Sequence, residues 1–186
     1  GKVLLYDVHD SMKRTLVPST AISYQLKDAV VAIEDARFYQ HHGIDPKSIL
    51  RATLANIIGT GFQQGASTIT QQVIKNTFLT DDKLLTRKFK EIILALKLEQ
   101  TYSKDEILAL YLNEVPYGGN IYGIGEASTA FLGKQPADLT LAESAYLAAI
   151  PNAPTRLSPY GTHRDQLDAR KNLVLKRMLD LNFITK

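Results

Sequence analysis

The chain has no cysteine, which excludes a disulfide framework and a thiol nucleophile but says little about compartment. It also lacks any apolar run approaching the ~20 residues that cross a bilayer, and its opening GKVLLYDVHD is not a signal peptide. If it works at a membrane, its anchor lies outside these residues or it docks at the surface. Charge of one sign is not in large excess: 22 basic against 19 acidic side chains leave a formal +3, with a pI near 9.0. That balance suits phosphate groups or an anionic membrane surface and is too small to point to nucleic acid. Repeats and low-complexity tracts are missing too. What is present, 186 residues of which 45% are hydrophobic, suffices for one sizeable core. A single domain over residues 1–186 is expected, with room for a smaller lobe.

The hydrophobic spacing is helical almost throughout, and start and stop signals punctuate it. Val3–Asp7 is a short strand-like run. Ser23 is an N-cap for a helix packed through Leu26, Ala29, Val30 and Ile33, with Gly43 as its stop. Asp45–Pro46 opens a second helix that runs through Ile49, Leu50, Leu54 and Ile57 to Gly59. Thr68 with Gln71 approximates a capping box for a third. Lys83–Gln100 has the strongest helical pattern; Leu85, Phe89, Ile92 and Leu96 are expected on its buried side, with Lys83, Arg87 and Glu91 opposite. Capping boxes at Ser103/Glu106 and Thr140/Glu143 start helices over Lys104–Leu112 and up to Ala149, where Pro151 intervenes. Between them, the glycine- and tyrosine-rich Pro116–Gly125 reads as a cleft-lining loop, and Glu126–Leu132 as a helix stopped by Gly133. After a loop over Pro151–Pro159, a last amphipathic helix spans Arg164–Leu181. The fold class expected is mainly α.

Chemistry concentrates in four places. In Ala32–Gly43, read as helix, Glu34, Phe38 and His41 fall at i, i+4 and i+7 and share a stripe. A partly buried carboxylate there has its pKa raised towards working pH, as an acid or base requires; the ordinary alternative is solvated helix acids and a histidine favoured by the helix dipole. Gly59–Gly65, with Phe62 beside Ile57 and Ile58, reads either as a mobile, membrane-dipping element or as a plain helix end and loop. Gly65–Asn76 is dense in Ser, Thr and Gln, and Lys75 follows Gln71 at i+4, a face able to hold a polyhydroxylated or phosphorylated ligand or simply a solvated helix start. Lys83, Arg87 and Glu91 form either a surface ion-pair ladder, worth only ~0.3–0.5 kcal/mol per pair, or a cationic pyrophosphate site in which Glu91 orients the cations or holds a metal.

Taken together, these stretches resemble the peptidoglycan glycosyltransferase domain, glycosyltransferase family fifty-one, found in bifunctional penicillin-binding proteins and monofunctional transglycosylases. The family's E-D-x-x-F-x-x-H-x-G is matched by Glu34, Asp35, Phe38, His41 and Gly43, and its G-x-S-T-I-T-Q-Q is complete from Gly65 to Gln72, followed by Lys75–Asn76. Its R-K-x-x-E is present as Arg87, Lys88 and Glu91. Its K-x-x-I-L-E-x-Y-L-N runs from Lys104 to Asn113, with Ala109 where the family usually has Glu. That departure is expected to alter local packing or polarity rather than the reaction. Leu147–Tyr160 resembles the fifth motif, so the likeness extends from about Val17 to Leu181.

The resemblance implies a lysozyme-like helical lobe with a smaller membrane-proximal jaw lobe. It also implies polymerisation of lipid II into β-1,4-linked strands on the outer face of the bacterial cytoplasmic membrane, with release of undecaprenyl pyrophosphate. In that scheme Glu34 is the catalytic base. Lys75, Arg87 and Lys88, with Lys83 as a weaker contributor, face the leaving pyrophosphate, and Glu91 orients them or binds a divalent Mg or Mn; no organic cofactor is implied. Ser67, Thr68, Thr70, Gln71 and Gln72 line the donor site, and Asp35, Phe38, His41 and Asn76 belong to the substrate-binding set. Ile57, Ile58 and Phe62 are membrane-proximal. Partners are lipid II, the growing lipid-linked strand, the membrane surface and a transpeptidase domain in a bifunctional parent. The rivals are a lysozyme-like hydrolase or lytic transglycosylase, which has no pyrophosphate to stabilise with Arg87 and Lys88, and a non-catalytic membrane-surface adaptor.

Overall fold

The computed structural model describes residues 14–58, 67–78 and 84–185. Helix α1, Tyr24–Glu34, is the axis of the core. Ser23 Oγ accepts the Leu26 N–H at 3.3 Å, the cap the sequence predicts. Leu26, Ala29, Val30, Val31 and Ala32 are all buried, more of the circumference than a one-faced helix would hide, and the reason is that two helices flank it: α7, Leu141–Ala149, and α8, Arg164–Asp180. Beside this layer α3, Ile69–Phe78, packs on α4, Leu84–Thr101, and on α5, Lys104–Glu114. One hydrophobic cluster joins the layers, from Phe38 and Ile69 through Tyr111 and Ile124 to Val174 and Met178. Each large side chain fully enclosed there contributes roughly 1.5–3 kcal/mol of transfer free energy.

Both predicted capping boxes, at Ser103/Glu106 and Thr140/Glu143, are formed with reciprocal side-chain and backbone hydrogen bonds. Helix α6, Ile124–Leu132, stops at Gly133, which adopts a left-handed φ of 65°. The Pro116–Gly125 stretch is not a cleft-lining loop: it folds into a short antiparallel hairpin, β1 Pro116–Gly118 and β2 Ile121–Tyr122, and runs on into α6. Tyr117 points from it into the core, because a ring on a strand next to α5 gains more by burial than by lining a wet cleft.

The incoming segment is clasped by the end of α5. Asn113 Oδ1 accepts the Val17 N–H at 2.8 Å while its Nδ2 donates to Val17 O at 2.9 Å and to Ala109 O at 2.8 Å. Arg14 pairs with Glu114 at 2.8 Å. A Cβ on Gly125 would stand 2.7 Å from Thr15 O, so this docking depends on glycine. Ala109 itself is buried against the core.

Two expectations of helix geometry are corrected. Helix α1 does not continue to Gly43; it ends at Glu34, with Asp35 at φ −155° and ψ 74° as its C-cap, and a 3₁₀ turn follows over Phe38–Gln40. Glu34, Phe38 and His41 therefore share no helical stripe. The chain breaks because the Asp35 carboxylate turns inward to other partners and Phe38 is drawn into the core, edge-on to Tyr39 and His41 and beneath Lys104 Nζ at 4.4 Å.

On α4 the expected faces do not hold: Phe89 is 66% exposed and Ile92 only half-buried, while Glu91 and Ala95 are buried; the side chain of Leu85 lies outside the described residues. Leu96, also expected inside, is exposed too. The inward face, Glu91, Ala95 and Glu99 at i, i+4 and i+8, is held by two features invisible to hydrophobic periodicity. Ala95 meets the backbone at Gly43, where a Cβ would stand 2.9 Å from the Ala95 carbonyl carbon. Glu99 is enclosed because Thr70 Oγ1 and Lys104 Nζ satisfy its carboxylate at 2.5 and 2.7 Å.

Helix α2, Pro46–Ile58, starts as the sequence predicts. Asp45 caps it by accepting the Lys47 and Ser48 N–H groups at 3.1 and 3.2 Å, and Pro46 occupies the first turn. Of its described side chains Ala52 is buried, while Leu50 and Arg51 are exposed.

Candidate active site

A cleft of about 410 Å³ opens where five helices end or cross. Its floor is the C-terminus of α1 with Glu34 and Asp35. The start of α2 supplies Asp45, Ser48 and Arg51, and the start of α3 supplies Ser67, Thr68, Gln71, Gln72 and Lys75. Glu91 of α4 closes one side, and the turn at Pro151 and Asn152 with Arg170, Leu173 and Arg177 of α8 closes the other.

Glu34 is the last residue of α1, and its side chain is 13% exposed. Its Oε2 accepts a hydrogen bond from Gln72 Nε2 at 3.1 Å, whereas Oε1 is buried without a hydrogen-bond partner and lies 3.6 Å from the Arg170 guanidinium. Burial pushes its pKa above the ordinary carboxylate value; the Gln72 hydrogen bond and the Arg170 charge pull it part of the way back, and neighbouring Asp35 pushes it up again. The C-terminal end of the helix dipole also opposes a negative charge here. The result is a carboxylate at a rigid position, more basic than usual, with one oxygen free of hydrogen bonds.

The other acids of the cleft are engaged. Asp35 Oδ2 lies 2.9 Å from His41 Nε2 and accepts the Ile69 N–H at 3.1 Å, so the pair ties the end of α1 to the start of α3. Burial alone would raise Asp45, but hydrogen bonds from the Ser48 hydroxyl, the Arg37 guanidinium and the Ser48 N–H lower it to about 2. Glu91 is paired with Lys88, whose Nζ also reaches Ser67 Oγ at 3.0 Å.

The structure thus brings Glu34, Asp35, Ser67, Thr68, Gln71, Gln72, Lys75 and Glu91 to one cleft. Several predicted site residues sit elsewhere. Phe38 is fully enclosed. His41 is buried against Asp35. Thr70 bonds Glu99 behind the cleft. Asn76 is exposed and Arg87 half-buried, while the exposed Lys88 meets the cleft only at its edge, through Ser67 and Glu91. Thr68 and Gln71 cap α3 reciprocally, at 2.9 and 3.1 Å, and Thr68 Oγ1 also donates to Gly43 O at 2.7 Å, so much of the hydrogen-bonding capacity read from the sequence is spent inside the fold. Lys83 and Phe62 lie outside the described residues, as do the side chains of Ile57 and Ile58 at the end of α2. Among the described residues no three His, Asp or Glu side chains converge as they would around a metal ion.

Among the cleft residues that sequence reasoning did not place at the site are Asp45, Ser48, Arg51, Asn152, Arg170 and Arg177. The only signal was the i, i+7 spacing of Arg170 and Arg177 on the last helix, which reads equally well as a solvated face.

The comparisons agree with this picture. The family model for the transglycosylase matches residues 2–179. Penicillin-binding protein 1F of Bacillus subtilis is 46% identical over 92% of this chain, and penicillin-binding protein 1A of Vibrio cholerae is 48% identical over 87%. The crystal structure of penicillin-binding protein 1A from Haemophilus influenzae superposes with a TM-score of 0.54 over 94% of this chain and 16% of that one, at 24% identity, and so supports the mainly α fold. The chain belongs to the transglycosylase family. Within it, the motifs and the relatives define a peptidoglycan glycosyltransferase domain of the class A penicillin-binding protein type. It spans about a quarter or less of the length of the curated relatives it matches, 24% of the first and 20% of the second.

Proposed function

We propose that this domain polymerises lipid II, with the lipid-linked growing strand as donor, lipid II as acceptor through a sugar hydroxyl, and undecaprenyl pyrophosphate as the leaving group. The observation that carries the reading is Glu34 Oε1, buried and free of hydrogen bonds at the floor of a cleft with cations on its walls. A sugar hydroxyl is a poor nucleophile at neutral pH and needs a base as it attacks. Glu34 takes the hydroxyl proton on Oε1 while Gln72 holds Oε2. Charge develops on the departing pyrophosphate, where fixed cations act most strongly; Lys75 lies on the cleft wall, and Arg87 and Lys88 lie on the adjoining turn of α4. With Asp35, Asp45 and Glu91 engaged by His41, Arg37 and Lys88, a single base and no covalent sugar intermediate is the simplest chemistry, which inverts an α-linked donor to a β-linked product.

Glu91 acts in this reading by holding Lys88 beside Ser67; any divalent cation enters with the pyrophosphate. No described helix is long and apolar enough to cross a membrane. The site of action we infer is the outer face of the cytoplasmic membrane, beside a transpeptidase domain in a longer parent. The test is incubation with labelled lipid II in detergent and separation of products by size. A ladder of strands lost in Glu34→Gln supports the reading. Shortening of preformed strands without a ladder overturns it in favour of a hydrolase.

A further inference from the structure

Arg170 enters the cleft from the last helix, which none of the residues read as catalytic or pyrophosphate-binding in the sequence includes. Its Nε donates to Ala149 O at 3.1 Å, and Ala149 is the last residue of α7. A helix C-terminus presents unsatisfied carbonyls and favours a cation, so the guanidinium is anchored before it meets any acid. Its outer nitrogen then lies 3.6 Å from Glu34 Oε1. That separation is too long for a hydrogen bond and short enough for a strong charge contact. A fork-to-fork pair would have occupied the oxygen; this arrangement leaves Oε1 without a hydrogen bond.

We propose that Arg170 is a positioning residue for the Glu34 base, holding the carboxylate towards the cleft and keeping it ionised between proton transfers. The proposal rests on the reading of Glu34 as the base. The groups facing Glu34 from each neighbouring element make Arg170 the main opposing charge. Asp35 adds negative charge beside it and Gln72 of α3 is neutral. Tyr111 of α5 and Tyr117 of β1 are fully buried with unpartnered hydroxyls; burial first, and the Glu34 charge after it, keep both phenols neutral, so neither supplies a charge opposite Glu34. Lys75 and Arg177 line the cleft further out. Burial lowers Arg170 and the Glu34 charge partly restores it, as for a pair that stabilises its ionised form jointly. Lysine cannot hold the Ala149 carbonyl and face Glu34 at once, because it lacks the planar fork.

The experiment is the pH dependence of lipid II polymerisation by wild type, Arg170→Gln and Arg170→Lys, with the Glu34 carboxyl titrated by NMR on ¹³C-glutamate-labelled protein and assigned through Glu34→Gln. In Arg170→Gln the acid limb and the carboxyl midpoint are expected to move up together by about one to three pH units, the range for loss of an adjacent opposite charge. Turnover at pH 7 then falls about tenfold or more while KM changes little. Arg170→Lys keeps the limb near wild type and lowers the plateau. An unmoved limb and midpoint in Arg170→Gln overturn the proposal whatever the plateau does. Should Arg170→Gln fail to fold, a wild-type plateau in Arg170→Lys overturns it instead. Retained turnover in Glu34→Gln sinks the base reading itself, a result separable from Arg170 because the NMR midpoint does not depend on activity.

Discussion

Replacing Asp45 tests how the cleft wall is held. Its carboxylate has no exposed surface and accepts five hydrogen bonds: the Lys47 and Ser48 N–H groups, the Ser48 hydroxyl at 2.5 Å, and Arg37 Nε and a terminal guanidinium nitrogen at 3.0 and 2.5 Å. Asp45→Ala removes the α2 cap, about 1 kcal/mol, and leaves a partly buried guanidinium unpaired. Asp45→Asn preserves the cap through Oδ1 but loses the charge and sets an amide donor where Oδ2 accepted Arg37 Nε and the Ser48 hydroxyl. With the folded carboxyl at about 2 against 3.8, linkage allows at most about 2.5 kcal/mol. Arg37 is 26% exposed, so solvent screening reduces this to about 1–2 kcal/mol.

Asp45→Ala is therefore expected to cost about 2–3 kcal/mol in urea unfolding, or about 4–12 °C in Tm, and Asp45→Asn about half as much. The sign with pH follows from the depressed folded value. The charge contribution is fully present above the unfolded pKa near 4 and is lost as pH falls through 2, so the gap between wild type and Asp45→Asn at pH 3 is about half its size at pH 6. A gap that stays constant between pH 6 and pH 3, or Asn no better than Ala, would refute the assignment of this energy to the charge and the cap.

Other expectations follow from the same geometry. Glu34→Gln lowers turnover by about 10²–10⁴, the usual contribution of a general base, measured with labelled lipid II. Gln72→Leu removes the hydrogen bond that lowers the Glu34 pKa, so the acid limb of activity moves up. In the same variant the stability tied to protonated Glu34, present below its unfolded pKa and lost as pH rises through its folded one, persists to higher pH; a limb at the wild-type position counts against it. Lys75→Ala slows turnover by about tenfold or more if this cation meets the leaving group, and an unchanged kcat removes it from that role. Gly123→Ala forces a Cβ to 2.6 Å from Asn113 O at φ 77°; a loss of about 2 kcal/mol or more in urea unfolding is expected.

Much of this protein was legible without coordinates. The caps at Ser23, Asp45, Ser103 and Thr140 and the stop at Gly133 lie where local chemistry places them, because a cap needs only its own few residues to form. The four motifs named the family, because reaction chemistry constrains residue type and order along the chain.

The tertiary structure decided what local patterns leave open. It ended α1 at Glu34, since Asp35 finds His41 and Ile69 across the fold. It turned Phe89 outward and Glu91 inward, since paired polar atoms and a glycine contact outweigh the hydrophobic stripe of an isolated helix. It spent Thr70 on Glu99 and brought Arg170 to Glu34 from 136 residues further along the chain. Separations of that size carry no periodic signal; burial and charge pairing select them only once the helices pack.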